Sequence, residues 1–157
     1  MTSHLRYIRN QLYQKLASFD KKQIHYALPQ LWNFNERSTG KLLHVNPFEF
    51  YLKAVDVILK QSPRTIRKGK GGIWTRDALI YNMFVRTTAA FDHNQDRKVN
   101  LPVNSDGWRE TGTFLKALSM LPYIKSLGAN TVHLLPITSI GSDGNKGTLG
   151  SPYAIKN

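Results

Sequence analysis

The stretch 78–136 constrains the fold most, because two short apolar segments flank a helical pattern within it. The first segment is ALIYNMFVRTT, with a strand predicted over 79–87, and the second is LGANTVHLLPI, with a strand predicted over 130–135. Gly128 is well placed to end the helix between them. Near-continuous apolar strands joined through a helix are typical of parallel strands buried on both faces, with a right-handed crossover. One such unit cannot bury itself alone, so either a larger α/β sheet is present or most of one is missing.

The connection between these strands combines a long loop with an amphipathic helix. The loop covers 89–110, and a loop of this length inside a compact domain is usually functional or an insertion. Either Thr111 or Thr113 can cap the helix that follows. The apolar residues predicted to face the sheet are Phe114, Leu115, Leu118, Leu121 and Ile124.

The N-terminal half reads as mostly helical. Apolar spacing predicts one helix over 4–19, and Asn46 with Pro47 predicts a second that runs to Lys60. Residues 24–45 show no convincing period, and 62–76 is a basic, glycine-rich stretch without the Gly-Lys-Ser/Thr ending of a phosphate loop. We therefore predict a helical N-terminal region with a basic linker over 1–75, and a second region over 76–157.

Charge and composition leave two broad classes open. The formal net charge is +12, which favours a binder of nucleic acid or another anion, or else a piece of a protein whose acidic part lies elsewhere. The charge is scattered, which disfavours nucleic acid. The one dense patch comprises Arg64, Arg67, Lys68 and Lys70. The sequence has no cysteine, which excludes disulfides, thiol nucleophiles and cysteine-bound zinc. No secretory signal or membrane-spanning run is evident, so a cytoplasmic location and no membrane partner are expected.

Three segments carry a family resemblance: YNMFVRTT, GTFLKALSMLPYIKSLGANTVHLLPI and GSPYAI. In order and spacing they resemble the start of the catalytic domain of the α-amylase family of glycoside hydrolases, over about 79–157. The family fold is a (β/α)₈ TIM barrel with its site at the carboxyl ends of the strands. The resemblance therefore implies an incomplete barrel, comprising its first two strands and first helix, preceded by the helical N-terminal region.

The implied function is that of an N-terminal fragment of a retaining α-glycosidase or glucanotransferase that acts on α-glucosidic bonds of starch- or glycogen-type glucans. Such chemistry needs two carboxylates across the scissile bond. In the family they lie on later strands, so no catalytic residue is assigned and the chain alone is expected to be inactive. The alternative is a small basic module that binds nucleic acid or another anion.

Two binding sites are predicted as well, a calcium site in the long loop and a sugar-binding tyrosine, Tyr153. Oxygen side chains alternate at Asp92, Asn94 and Asp96, with Asn100 following, and several oxygen ligands suit Ca²⁺. Some family members carry a similar loop with a glycine where this chain has Arg97. The competing interpretation is a turn whose Asx side chains bond their own backbone.

Four further residues of this half have individual predictions. Tyr153 matches the family tyrosine that stacks on a sugar ring. His93 is expected to point away from the oxygen ligands, and His133 to be packed or hydrogen-bonded. A structural ion pair is expected for Arg86.

Overall fold

The computed structural model describes residues 2–19, 25–33, 40–60, 71–143 and 150–156. Over these ranges the chain forms four α-helices and two small sheets of two strands each. The helices are α1 (Thr2–Ser18), α2 (Pro47–Lys60), α3 (Val85–Thr88) and α4 (Phe114–Ser126). The strands are β1 (Ala27–Pro29), β2 (Leu42–His44), β3 (Ile80–Met83) and β4 (Thr131–Leu134). Short 3₁₀ helices cover Gln30–Trp32 and Gly71–Asp77. The α/β class is confirmed; these ranges contain no closed barrel, and the incomplete TIM barrel stays a prediction.

The predicted parallel strand pair is present. β3 and β4 pair in parallel, with Ile80 opposite Thr131 and Met83 opposite Leu134. The ladder is extended where the Leu135 N–H donates to the Met83 carbonyl at 2.9 Å. The predicted first strand, 79–87, was too long. The chain leaves the sheet at Met83 and turns into α3, whose Val85 side chain is buried in the core.

Helix α4 connects these strands and begins as predicted. The Thr113 hydroxyl accepts a hydrogen bond from the Lys116 N–H at 3.3 Å, which satisfies one free amide of the first turn. Gly128 follows the helix with φ of +91°, a conformation that suits glycine. The buried residues of α4 are Lys116, Ala117, Ser119, Met120 and Ile124.

The predicted apolar face of α4 was partly wrong. Ile124 is buried, but Phe114 is 54 % exposed and Leu121 is 38 % exposed. Helical spacing identifies an apolar stripe, but which part of the stripe is covered depends on the neighbouring elements. Among the described residues, α4 packs mainly against the 3₁₀ helix Gln30–Trp32 and against α2, which select the face of Ala117 and Met120.

Helices α1 and α2 pack against each other and agree with the predicted spans. Asn46 caps α2, since its Oδ1 accepts from the N–H groups of Phe48 at 3.0 Å and Glu49 at 3.3 Å. Between the helices, Arg9 Nε and Asp56 Oδ1 lie 2.6 Å apart in a partly exposed ion pair. Local signals were sufficient here because the cap and the apolar stripe lie within a few residues of each other.

The replacement Asn46→Ala should lower the free energy of unfolding by about 1 kcal/mol, because two N–H groups of α2 lose their acceptor. Urea denaturation followed by circular dichroism measures this change. Asn10→Ala is the matched control, since Asn10 is exposed within α1. Equal stability of the Asn46 variant and the wild-type chain would show that the cap contributes nothing.

The sequence did not predict the small sheet in the N-terminal half. β1 and β2 pair antiparallel, with Leu28 opposite Leu43. Each strand has three residues, too few to establish a period of two in the sequence. This sheet matters for the site because Leu28 of β1 and Tyr26, which directly precedes β1, are buried in the core.

One buried cluster joins the two halves of the chain. Its members are Tyr26, Leu28, Trp32, Tyr51, Met83, Val85, Ala89, Ala117, Met120 and Ile124. The predicted division at residue 75 stays a prediction about chain organisation. Most of the predicted linker, including the patch of Arg64, Arg67, Lys68 and Lys70, lies outside the described residues.

Candidate metal centre

The long loop after α3 is closed on itself at its base. The Phe91 N–H donates to the Glu110 carbonyl at 2.9 Å, so the two ends of the loop run side by side. The Gly112 N–H donates to the Arg86 carbonyl at 2.8 Å and ties the start of α4 to α3. The loop is thereby fixed beyond the carboxyl end of β3.

Three carboxylates converge inside this loop. Oxygen atoms of Asp92, Asp96 and Glu110 all lie within 4.8 Å of one another. Asp96 is exposed and Asp92 is half-buried, whereas Glu110 is only 3 % exposed. Three acidic oxygens at such separations form a triad that can hold a metal ion.

Backbone N–H groups organise the Asp92 carboxylate. Its Oδ1 accepts from the Asp96 N–H at 3.1 Å, and its Oδ2 accepts from the Arg97 N–H at 2.7 Å. These bonds fold the chain tightly around Asp92. Gln95 and Arg97 adopt positive φ of 62° and 67°, values that L residues rarely take.

Glu110 is the most buried member of the triad and also accepts from the backbone. Its Oε1 accepts from the His93 N–H at 3.2 Å, and its Oε2 accepts from the Asn100 N–H at 2.8 Å. The side chain thus connects the end of the loop to His93 near its beginning and to Asn100 in its middle. These two donors are neutral backbone groups, so they add no charge to the site.

Asp96 is held by polar neighbours at the solvent side. Its Oδ2 accepts from the side-chain amides of Asn94 at 3.2 Å and Asn100 at 3.3 Å. Desolvation within the loop opposes ionisation, but the Lys98 N–H, the two amides and the Lys98 charge outweigh it and lower the pKa of Asp96. Asp96 is therefore ionised at neutral pH and available as an oxygen ligand.

The four predicted calcium ligands divide into two pairs. Asp92 and Asp96 belong to the triad, while Asn94 and Asn100 lie beside it with amide groups turned towards Asp96. Glu110 was missing from the prediction. It follows Asp96 by 14 positions, outside any local ligand pattern, and only closure of the loop brings it in.

The chemistry and spacing of the triad fit a hard cation. Ca²⁺ takes oxygen ligands at about 2.3–2.6 Å, so oxygens on opposite sides of one ion are roughly 5 Å apart. The 4.8 Å limit on the triad oxygens falls within that span. The Asn94 Oδ1 accepts from the Asp96 N–H at 3.0 Å and is a neutral oxygen at the same loop.

A buried lysine supports the Glu110 end of the loop. The Lys116 ammonium on α4 donates to the carbonyls of Arg109 at 2.6 Å, Glu110 at 3.1 Å and Thr111 at 3.0 Å. Burial lowers the pKa of Lys116 to about 7, although the Glu110 charge opposes that shift. Three consecutive carbonyls are thus fixed by one side chain from α4.

His93 points away from the triad, as predicted, and into the core. Its Nδ1 lies 2.7 Å from the Ala27 carbonyl, which can only accept, so Nδ1 carries the proton. Nε2 is then an acceptor, and the Tyr26 hydroxyl donates to it at 3.0 Å. The Tyr51 hydroxyl in turn donates to Tyr26 at 2.9 Å, which completes a chain of three buried groups. Burial, with the Lys116 charge, lowers the pKa of His93 to about 4 despite the Ala27 bond.

A cavity of about 250 Å³ lies at the carboxyl ends of β3 and β4. Residues after both strands line it, among them Phe84, Arg86 and Ile137, together with Thr113 at the start of α4 and Pro152. Open polar and apolar surface at this edge of a parallel sheet is where α/β proteins commonly bind ligands.

Tyr153 is next to the cavity-lining Pro152 and is 66 % exposed. Its N–H donates to the Ser151 hydroxyl at 3.3 Å, and an isolated bridge between Ile140 and Ile155 holds this terminal turn. The ring is accessible to a ligand.

His133 and Arg86, which also had individual predictions, make contacts within the protein. His133 donates from Nδ1 to Asn82 Oδ1 at 2.9 Å across the β3–β4 pair, as expected for a hydrogen-bonded histidine. Arg86 lies on α3, and its guanidinium stands 5.0 Å from the centre of the Phe84 ring. The ion pair expected for Arg86 stays a prediction.

None of the helices within the described ranges combines the length and apolar character needed to cross a membrane. A scan of the chain against protein-family models and a search of curated proteins found no match.

Proposed function

We propose that the chain is the N-terminal part of an α-amylase-like glycoside hydrolase that acts on α-glucosidic bonds. One observation carries the proposal. The parallel pair β3–β4 is joined through α4 in the predicted order, with an oxygen-rich loop beyond the carboxyl end of β3. In a barrel enzyme this edge carries the binding and catalytic loops.

The residues at this edge support a role in sugar binding. Tyr153 offers an exposed aromatic face, which suits the apolar C–H side of a pyranose ring. The neighbouring cavity lies beyond both strand ends. We assign Tyr153 to sugar binding and assign no catalytic residue, since the two carboxylates needed for the reaction belong to later strands of the barrel.

The gene sequence downstream of this chain provides a direct test of the proposal. The sequence beyond codon 157 should encode further strands with acidic residues at their carboxyl ends. The longer product should release reducing sugar from soluble starch with retention of anomeric configuration, and Tyr153→Ala should weaken that activity. A downstream sequence with no acidic strand, or starch hydrolysis by the 157-residue chain alone, contradicts the proposal.

The triad is proposed to bind Ca²⁺. Asp92, Asp96 and Glu110 would hold the ion, with Asn94 as a neutral oxygen ligand. An ion bound there would stabilise the loop beyond β3. Isothermal titration of the chain with CaCl₂ should show one site that Asp96→Asn weakens. Asp106→Asn, outside the triad in the same loop, is the control and should keep the wild-type affinity. If both variants bind Ca²⁺ as tightly as the wild-type chain, the assignment is refuted.

The replacement Arg97→Gly should tighten Ca²⁺ binding by about two- to fivefold. It removes a positive charge beside the triad, and exposed charge interactions contribute about 0.2–1 kcal/mol. It also removes the backbone strain of an L residue that adopts a φ of 67°. Arg97→Gln removes the charge and keeps the backbone strain, so comparison by calcium titration separates the two causes. An unchanged affinity in both variants would mean that Arg97 does not oppose the ion.

A further inference from the structure

Two chemically different sets of residues line the cavity at the carboxyl ends of β3 and β4. The apolar set includes Phe84, Phe114, Ile137 and Pro152, and the polar set includes Arg86, Arg109, Thr111 and Thr113. Among the residues that the structure describes, no aspartate or glutamate lines this cavity. Its volume of about 250 Å³ is below the range of about 300–1,000 Å³ that is typical of pockets for drug-sized ligands, so it suits a small ligand.

The two arginines are held in place beside the start of α4. The Arg86 guanidinium stands 5.0 Å from the centre of the Phe84 ring, and the Arg86 carbonyl accepts from the Gly112 N–H at 2.8 Å. The Arg109 carbonyl accepts from the Lys116 ammonium at 2.6 Å. The N-terminal end of the 13-residue helix α4 adds a partial positive charge to the same wall. With no carboxylate in the described lining to balance these charges, the cavity attracts anions.

The hydroxyl of Thr111 is an independent observation that points to a ligand. Thr111 is only 7 % exposed, and no described group forms a hydrogen bond with its hydroxyl. The hydroxyl oxygen is not one of the solvent-inaccessible atoms that lack a partner, so it keeps contact with the cavity that Thr111 lines. A polar group on a buried residue is normally hydrogen-bonded, because an unmade bond there costs free energy. A ligand in the cavity would supply the missing partner.

The polar set offers hydrogen-bond donors rather than acceptors. Arginine side chains only donate, and each threonine hydroxyl has one proton to donate. The Thr113 oxygen already accepts from the Lys116 N–H at 3.3 Å, which leaves its proton available as a donor. The planar guanidinium matches the geometry of phosphate oxygens, and a phosphate monoester presents three strong acceptor oxygens to donors from several directions. Its organic part can contact the apolar set.

We propose that this cavity binds the phosphate group of a small phosphate monoester, with Arg86, Arg109 and the Thr111 hydroxyl as donors. The organic part of the ligand packs against the apolar set. The inference goes beyond the proposed function, because it requires neither the cation at the triad nor sugar binding at Tyr153. Its failure would leave the test of the glycosidase proposal by the downstream gene sequence unaffected.

Isothermal titration of the 157-residue chain with phenyl phosphate at neutral pH provides the first test. One site should bind phenyl phosphate at least about tenfold more tightly than phenol, which has the ring without the charge. Inorganic phosphate, which has the charge without the ring, should bind more weakly than phenyl phosphate. No binding of phenyl phosphate, or equal affinity for phenol, overturns the proposal. Equal affinity for inorganic phosphate overturns the part assigned to the apolar set.

Replacement of a cavity arginine provides the second test. Arg109→Gln should weaken binding of phenyl phosphate by about tenfold, the loss expected for one hydrogen bond to a charged group. Arg76→Gln is the matched control, since Arg76 is exposed, lies outside the cavity lining and gives the same change of net charge. It should keep the wild-type affinity. An equal loss in both variants would reflect general attraction of anions to a chain of net charge +12 and would overturn the site, as would wild-type affinity in Arg109→Gln.

Thr111→Val separates a role in binding from a role in folding. The variant keeps the shape of the side chain and should weaken binding of phenyl phosphate by about tenfold. Because no described group bonds the Thr111 hydroxyl, urea denaturation should show that the variant is at least as stable as the wild-type chain. Thr131→Val, which removes a hydroxyl that donates to Asn130 Oδ1 at 3.1 Å, is the control and should keep the wild-type affinity. Unchanged affinity in Thr111→Val, or a loss of stability together with affinity, would overturn the assignment of this hydroxyl to the ligand.

Discussion

Replacement of Gly112 by alanine should lower the free energy of unfolding by more than about 3 kcal/mol, beyond the usual range for overpacking. A Cβ atom at this position would lie 1.7 Å from the Val85 carbonyl oxygen and 3.1 Å from the Ala89 carbonyl carbon. Both are backbone atoms and cannot rotate away. The Gly112 N–H also donates to the Arg86 carbonyl at 2.8 Å, so a shift that relieves the clash breaks this bond.

Gly141→Ala is the matched control for this prediction. A Cβ atom there would meet its nearest atom, the Ala154 carbonyl oxygen, at 3.7 Å, which is ordinary contact. Thermal and urea unfolding of both variants should show a large loss for Gly112→Ala and little change for Gly141→Ala. A Gly112→Ala chain as stable as the wild type would mean that α3 and the start of α4 do not approach as described.

Acidification from pH 6.5 to pH 4 should remove about 3 kcal/mol of stability through His93 alone. Burial lowers the pKa of His93 from 6.5 to about 4, so the folded chain keeps the ring neutral where the unfolded chain protonates it. The unfolded state then binds more protons, and stability falls as the pH falls. The contribution of His93 is fully present above pH 6.5 and is lost as the pH approaches 4.

Urea denaturation at several pH values measures this dependence. In His93→Phe the position cannot take up a proton, so the slope of stability against pH between 6.5 and 4 should become shallower even if the variant is less stable throughout. His133→Phe, which removes an exposed imidazole, should keep the wild-type slope. Equal slopes for wild type and His93→Phe would exclude His93 as the buried neutral base.

Some parts of the structure follow from short-range signals. Asn46 and Thr113 cap helices in the structure because each acceptor lies within three residues of the amides that it satisfies. Gly128 ends α4 because glycine takes the positive φ that the turn needs. Asp92 and Asp96 fold into one tight loop through bonds between neighbours.

From the sequence alone we could predict helices α1, α2 and α4, the parallel pair β3–β4 and two of the three triad carboxylates, but not α3, which lies within the predicted first strand. Tertiary structure alone decided the β1–β2 sheet, the covered side of α4, and the arrival of Glu110 beside Asp92. It also decided that His93 bonds to Ala27. The physical reason is the distance along the chain. Caps, turns and apolar periods act between residues a few positions apart, whereas these contacts join residues more than a dozen positions apart and form only when the shared core closes.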